Sequence, residues 1–228
     1  MLKLLKSRDH FKQKDFPFAI NWFSLPSIEL HEHDFFEFFY VLKGKGLHSL
    51  DGKESVIRAG DIILMSPGRA HSLINAAGGK MEMYNCLFLP NLLESHSNLL
   101  KNMKGFMELL YLEPFTRGYN ILHLSGSTDI KVRIILEELF VEYSSNHKNN
   151  DSMIKILLAD LLLTLVRYFE KQSMSLPVEK NALTKKAHAI IKSIEYIDAH
   201  FKEELPLDNI SLKRTGITKE YFCSIFKK

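Results

Sequence analysis

The stretch His31-Glu32-His33-Asp34-Phe35-Phe36-Glu37, with Gly44 after six more residues, decides how this chain is read. On an extended strand residues 31, 33, 35 and 37 share one face, because side chains alternate with a period of two. Both imidazoles, the Phe35 ring and the Glu37 carboxylate are therefore expected on the same side of a sheet. Phe36, Phe38 and Tyr40 fall on the other side, where packing against helices or a second subunit is expected. A second stretch, Gly60-Asp61 and Ser66-Pro67-Gly68-Arg69-Ala70-His71, brings a third imidazole from another strand, and His48 is placed in the same interior. Two chemistries stay open. Three nitrogens and one oxygen suit a first-row divalent metal. The same groups also suit hydrogen bonding to a small polar molecule, with Glu37 fixing a histidine tautomer.

Outward from this stretch, residues 16 to about 90 are written in short apolar runs cut by turn signals. Phe18, Ile20 and Trp22 alternate, Leu25-Pro26-Ser27 breaks the run, and a further run extends from Ile28 to Leu42. Asp51-Gly52 is a strong hairpin signal, and Ala77-Gly78-Gly79 predicts a second hairpin turn. Strands at this spacing predict a jelly roll or barrel rather than βαβ units.

Beyond Leu92 the period becomes helical. Leu136, Leu139, Phe140 and Tyr143 stand at i, i+3, i+4, i+7 behind a predicted cap at Ser127 or Thr128, and a second helix is predicted from about Asp151 to Lys171. The polar break 146–151 makes the pair an antiparallel hairpin. Ser173 to Asn181, with Pro177, reads as a linker. A third helix then carries Ile190, Ile194, Ile197 and Phe201 on one stripe.

The 228 residues include 46% hydrophobic and 25% charged residues and a net charge of +3, which excludes a disordered chain and makes any nucleic-acid contact a local one. Cys86 and Cys223 lack a CxxC partner, so neither a disulfide framework nor a thiolate zinc site is expected, and a reducing cytoplasm fits. The N-terminus has no apolar signal-peptide core, and the apolar stretch 154–166 is too short to span a membrane.

At the quoted residues the chain resembles the cupin superfamily. Its first motif, HxH, Glu and Gly, is matched by His31, His33, Glu37 and Gly44; its second is matched by Gly60, Ser66-Pro67-Gly68, His71 and Asn75, with Ser66 where that family has proline. The resemblance implies a cupin-like β-barrel of jelly-roll type. The C-terminal run Leu207 to Lys228 predicts a short helix, a turn at Gly216, a Thr218 cap and a second helix buried through Phe222, Ile225 and Phe226, a helix-turn-helix. Behind a cupin barrel, this segment resembles the DNA-binding domain of AraC-type transcriptional regulators. That family carries two such motifs, and this chain carries one. Ser211 stands where the family has a small residue, usually alanine, and one additional residue separates it from Gly216.

The resulting expectation is an α+β chain: a sensing barrel over 1–95, a helical region and dimerisation hairpin over 96–172, a linker over 173–181 and a partial DNA-binding domain over 182–228. His31, His33, Phe35, Glu37, His48 and His71 would line an effector pocket. Matched by position, Glu220 and Ser224 face bases, Lys219, Lys227 and Arg214 reach phosphates, and Thr218 caps the recognition helix. Each of these also fits an ordinary solvated surface. The function implied is a cytoplasmic, non-enzymatic regulator that takes a sugar or another small polar metabolite, needs no cofactor and binds DNA weakly with its single motif. It acts as a homodimer, argued from the apolar excess on Ile154 to Phe169. Two alternatives are a metal-dependent cupin isomerase or dioxygenase, with His31, His33, Glu37 and His71 as ligands, and a DNA-binding-deficient sensor that pairs with intact partners.

Overall fold

The computed structural model describes residues 3–11, 15–75, 79–89, 92, 121–145 and 147–175, together with positions 192, 193, 196, 197, 200, 203–207, 219 and 223. The chain divides into two compact units, Met1–Ser175 and Leu176–Lys228.

The first unit opens with strand β1 (Lys3–Leu5) and a single turn α1 (Ser7–His10). Eight strands follow: β2 (Phe18–Leu25), β3 (Ser27–His33), β4 (Phe36–Lys43), β5 (Lys45–Leu50), β6 (Lys53–Arg58), β7 (Asp61–Met65), β8 (His71–Asn75) and β9 (Met81–Phe88). A late strand, β10 (Ile121–His123), precedes helices α2 (Gly126–Ser144) and α3 (Asn150–Ser175). The strands form two five-stranded sheets, β1-β3-β8-β5-β6 and β10-β7-β4-β9-β2. The architecture is a jelly-roll sandwich capped by a helical hairpin, rather than a closed barrel. β10 returns to pair with β7, so the sandwich draws on residues well beyond position 95.

The Asp51-Gly52 hairpin forms as expected. Both residues take positive φ, 48° and 79°, the combination that a two-residue turn of matching twist requires, and Leu50 pairs with Lys53. The second expected hairpin does not form. β8 pairs with β3 and β5, whereas β9 pairs with β2 and β4, so the glycine-rich connection carries the chain from one sheet to the other. Helix α2 begins at Gly126 with Ser125 at the cap position rather than Ser127 or Thr128, and the Ser125 hydroxyl makes no capping hydrogen bond.

One core joins the outer face of the second sheet to the hairpin. Phe36, Phe38 and Tyr40 pack there with Val132, Leu136 and Leu139 of α2 and with Leu158, Leu161 and Leu165 of α3. Tyr40 donates its hydroxyl to Asp129 at the start of α2, which satisfies the one polar atom that this aromatic face buries. The apolar residues from Ile154 to Phe169 that suggested a dimer contact are consumed here: Ile154, Leu158, Leu161, Leu162, Leu165, Val166 and Phe169 all lie in this intramolecular core. The hairpin turn is clasped by Asn150, whose side-chain amide donates to the carbonyls of Glu142 and Ser145. A second core, led by Phe39, Val41, Ile57, Ile63 and Leu73, fills the space between the sheets. Among the described residues no helix is long and apolar enough to cross a membrane.

Candidate functional site

The two histidines and the glutamate of the opening stretch do not lie on one strand. β3 ends at His33 and β4 begins at Phe36, and these strands belong to opposite sheets. The chain turns a corner at Asp34-Phe35, where Asp34 accepts hydrogen bonds from the Ser7 backbone N–H and hydroxyl. The corner brings Glu37 back from the facing sheet towards the imidazoles. It also moves Phe35 out of the expected row. Phe35 is buried with Ala19 and Leu87, and its ring stacks on His33 from behind at 4.6 Å between centroids.

His31 and His71 sit directly across the β3–β8 ladder, after a register shift between Ile28 and His31, and their rings approach to 4.2 Å. A shift of this kind re-aims side chains, which is a recurrent use of bulges beside functional groups. His48 lies on β5 diagonal to His71, since Leu50 is the residue paired with His71, and the two rings are 5.7 Å apart. The turn Ser66-Pro67-Gly68 of the second motif closes the arrangement, with the Gly68 N–H donating to the His33 carbonyl at 2.8 Å. All five polar groups, His31, His33, Glu37, His48 and His71, are buried.

The hydrogen bonds of two imidazoles define their tautomers. The His31 Nδ1 lies 2.8 Å from the Glu29 carbonyl and the His33 Nδ1 lies 2.7 Å from the Phe35 carbonyl. A carbonyl only accepts, so both Nδ1 atoms carry a proton, and each ring directs its Nε2 inward. The Nε2 atoms of His33 and His71 lie 3.0 and 3.1 Å from the same Glu37 oxygen, yet neither pair is aligned as a hydrogen bond. A lone pair facing a buried carboxylate is repulsive unless a cation lies between the groups or the ring takes a second proton. Burial opposes ionisation of Glu37, but the His33 and His71 imidazoles outweigh it and hold the carboxyl well below the usual carboxylate range. Burial and the neighbouring His71 push His31 down, and burial pushes His48 down to about 3, so His48 stays neutral at physiological pH.

The donor set fits a divalent metal ion. Ligand atoms of His31, Glu37 and His71 lie within 4.8 Å of one another. The Nδ1–H bonds of His31 and His33 to backbone carbonyls are the outer-shell contacts that orient metal-binding imidazoles. A cavity of about 600 Å³ lies elsewhere, between Phe16, Phe18 and Tyr143 and the loop into α3, and none of the five cluster residues lines it.

The structure also shows polar groups to which the sequence assigned no role. Ser66 Oγ and Asn85 Oδ1 are buried without a partner. Asp61, next to the motif glycine, accepts from the Arg58 N–H and pairs with His123, so it anchors β10 rather than joining the cluster. β1 pairs in parallel with β3, Lys3 opposite His31, a contact for which the N-terminal sequence carries no strand signal. Of the expected DNA contacts, Lys219 is helical and exposed; Arg214, Thr218, Glu220, Ser224 and Lys227 lie outside the described residues.

The family model "AraC-like ligand binding domain" matches residues 22–162. The chain belongs to the AraC-like family. The matched span of this AraC-like chain contains every cluster residue. The HTH-type transcriptional activator RhaR of Enterobacter sp. strain 638 is 27% identical over 138 residues, 60% of this chain and 46% of that protein. The RhaR of Yersinia pestis bv. Antiqua strain Angola is 24% identical over 229 aligned positions, 96% of this chain and 76% of that protein. The oxalate-binding protein of Thermotoga maritima is 34% identical over 64 residues, 28% of this chain and 53% of that protein. The AraC-like chain thus spans less than half the length of the first of these relatives.

Proposed function

We propose that this AraC-like chain is a cytoplasmic transcriptional regulator that senses a small ligand in its sandwich, acts as a homodimer and contacts DNA through the helix-turn-helix of residues 207–228. The match to the ligand-binding family over 22–162, which encloses the whole histidine cluster, is the observation that carries this reading. The chemistry of the site is recognition. His31, His33, Glu37 and His71 hold or orient the ligand, while His48 offers a neutral imidazole beside them. Ligand binding changes the packing of the sandwich against the hairpin and so the spacing of the DNA-binding units. The ligand is a small polar metabolite, a sugar among the candidates. Arg214, Lys219 and Lys227 are proposed phosphate contacts, Thr218 the cap, and Glu220 and Ser224 the base-reading pair.

A mobility-shift assay on the DNA upstream of its own gene tests the regulator. A shift at low salt that weakens steeply as salt rises is expected, since phosphate contacts release counterions. No shift at any salt would remove DNA binding and leave a sensor acting through partners. With one helix-turn-helix in these 228 residues the affinity is weak, and nanomolar binding by the isolated chain would contradict that part.

The imidazole tautomers favour a second reading, in which His31, His33, Glu37 and His71 hold a divalent metal that anchors the ligand or, in an enzyme, polarises a substrate oxygen. Metal analysis after purification without chelator decides it. About one iron, manganese or zinc per chain, lost on H33A/H71A substitution, supports the metal; a metal-free protein that still responds to its ligand rejects it.

A further inference from the structure

The turn between α2 and α3 carries chemistry that the histidine cluster does not use. The cavity of about 600 Å³ at the entry to α3 falls within the size range of small-ligand pockets. Phe16, Phe18 and Tyr143 form its apolar wall, with the Phe18 and Tyr143 rings edge to face at 5.7 Å between centroids. The first turn of α3 forms its polar side, where Asn150, Asp151 and Ser152 line it. Asn150 is held in one orientation, because its amide nitrogen donates to the carbonyls of Glu142 and Ser145 and to the Ser145 hydroxyl at 3.1, 2.8 and 3.2 Å. The Oδ1 of the same amide is buried and, among the described residues, accepts no hydrogen bond. A buried acceptor without a donor is a cost to the fold that an arriving donor removes.

The charges around this cavity select what it takes. Asp151 offers an exposed carboxylate, which repels anions. The N-terminus of the 26-residue helix α3 is the positive end of its dipole, and the Lys155 ammonium stands 5.9 Å over the Phe16 ring, so cations are repelled as well. An uncharged molecule meets neither penalty. The Asp151 carboxylate and the Asn150 Oδ1 only accept, so the molecule must bring donors, and its carbon frame must cover the aromatic wall. Hydroxyls on a small carbon skeleton satisfy both demands. We propose that this cavity is a second ligand site, separate from the histidine cluster, and that it takes a small neutral polyhydroxylated molecule. Hydroxyls of that molecule donate to Asp151 and Asn150, and a face of C–H groups lies against Phe18 and Tyr143. Binding acts directly on the hairpin, because Asn150 is at once the clasp of its turn and an acceptor for the ligand. The site does not depend on the effector pocket of the proposed function, and a chain with an altered cluster retains it.

Thermal shift and isothermal titration calorimetry on the full chain test it, with D-galactose, D-xylose and ribitol as neutral probes, D-galactonate as the anion and D-galactosamine as the cation. At least one neutral probe is expected to bind, about tenfold or more tightly than either charged one, since a charge brought into the cavity finds no counter-charge. Ser152 is exposed, so S152F fills the mouth without disturbing the core and is expected to abolish binding. D151A is expected to weaken the neutral probe by about tenfold or more, the loss of a hydrogen bond to a charged acceptor, and to relax the exclusion of galactonate. H33A/H71A is expected to bind the neutral probe as the wild type does. A wild type that binds no neutral probe, or that binds galactonate or galactosamine as tightly, would overturn the proposal. Neutral binding that survives S152F would overturn it as well, and its loss in H33A/H71A would then seat the ligand in the sandwich and leave the effector pocket of the proposed function standing. S152F alone decides the location if the double variant does not fold.

Discussion

Replacing Glu37 with alanine removes the one carboxylate that the described residues bring into a cluster of four imidazoles, and the structure states what that costs. Glu37 is buried, and two imidazole nitrogens approach one of its oxygens at 3.0 and 3.1 Å. Removing one member of such a buried pair costs about 3–5 kcal/mol, because the partners stay desolvated and lose their counter-charge. Alanine relieves the burial of the carboxylate but leaves a small void, so the lower end, about 3 kcal/mol, is expected at pH 7 in chelator. The assay is urea unfolding followed by fluorescence of the single tryptophan, Trp22, which lies on β2 of the sensing unit and reports on that unit. The sign with pH follows from linkage. Glu37 is depressed in the folded state, so its contribution is complete above the unfolded pKa of about 4.3 and is lost as pH falls below it towards the folded value. The gap between wild type and E37A should therefore shrink progressively below about pH 4.3. A variant within about 0.5 kcal/mol of wild type at pH 7, or a gap that widens in acid, would refute the electrostatic account of the cluster.

Two further outcomes follow from the fold. Leu161→Ala opens a cavity where α3 meets the Phe38 face of the sheet and should lower stability by about 2–5 kcal/mol in the same assay, without changing metal content. Gly46→Ala places a Cβ 2.5 Å from Met81 Sδ and 2.8 Å from the Ile74 carbonyl oxygen. The sulfur can move but the ladder carbonyl cannot, so a loss of about 1–3 kcal/mol is expected, and an unperturbed melting curve would show that β5 and β9 have more clearance than this.

Some of these features are local and were legible in the chain. The Asp51-Gly52 turn needs only two residues that tolerate positive φ, and it forms where its dipeptide stands. The helical periods of 136–143 and 154–166 mark their buried faces, because a 3.6-residue repeat of apolar side chains has one energetically acceptable orientation against a sheet. The identities and spacing of His31, His33, Glu37 and His71 likewise announced that they would meet.

How they meet was decided by tertiary structure. Read as a strand, residues 31–37 place four side chains on one face of one sheet; the folded chain instead turns at Asp34 and lets Glu37 arrive from the opposite sheet, with Phe35 displaced behind His33. Asp34, a residue poor in β-propensity, is the local hint of the corner, but a single such residue does not distinguish an interrupted strand from two strands in opposite sheets. The partners of β8 and β9 were hidden for the same reason, since a glycine-rich turn serves a hairpin and a crossover between sheets equally well. The tautomers of His31 and His33 depend on carbonyls that only the folded backbone supplies. The residue types and their spacing thus came from the chain alone, whereas their convergence on one buried carboxylate is a long-range packing result.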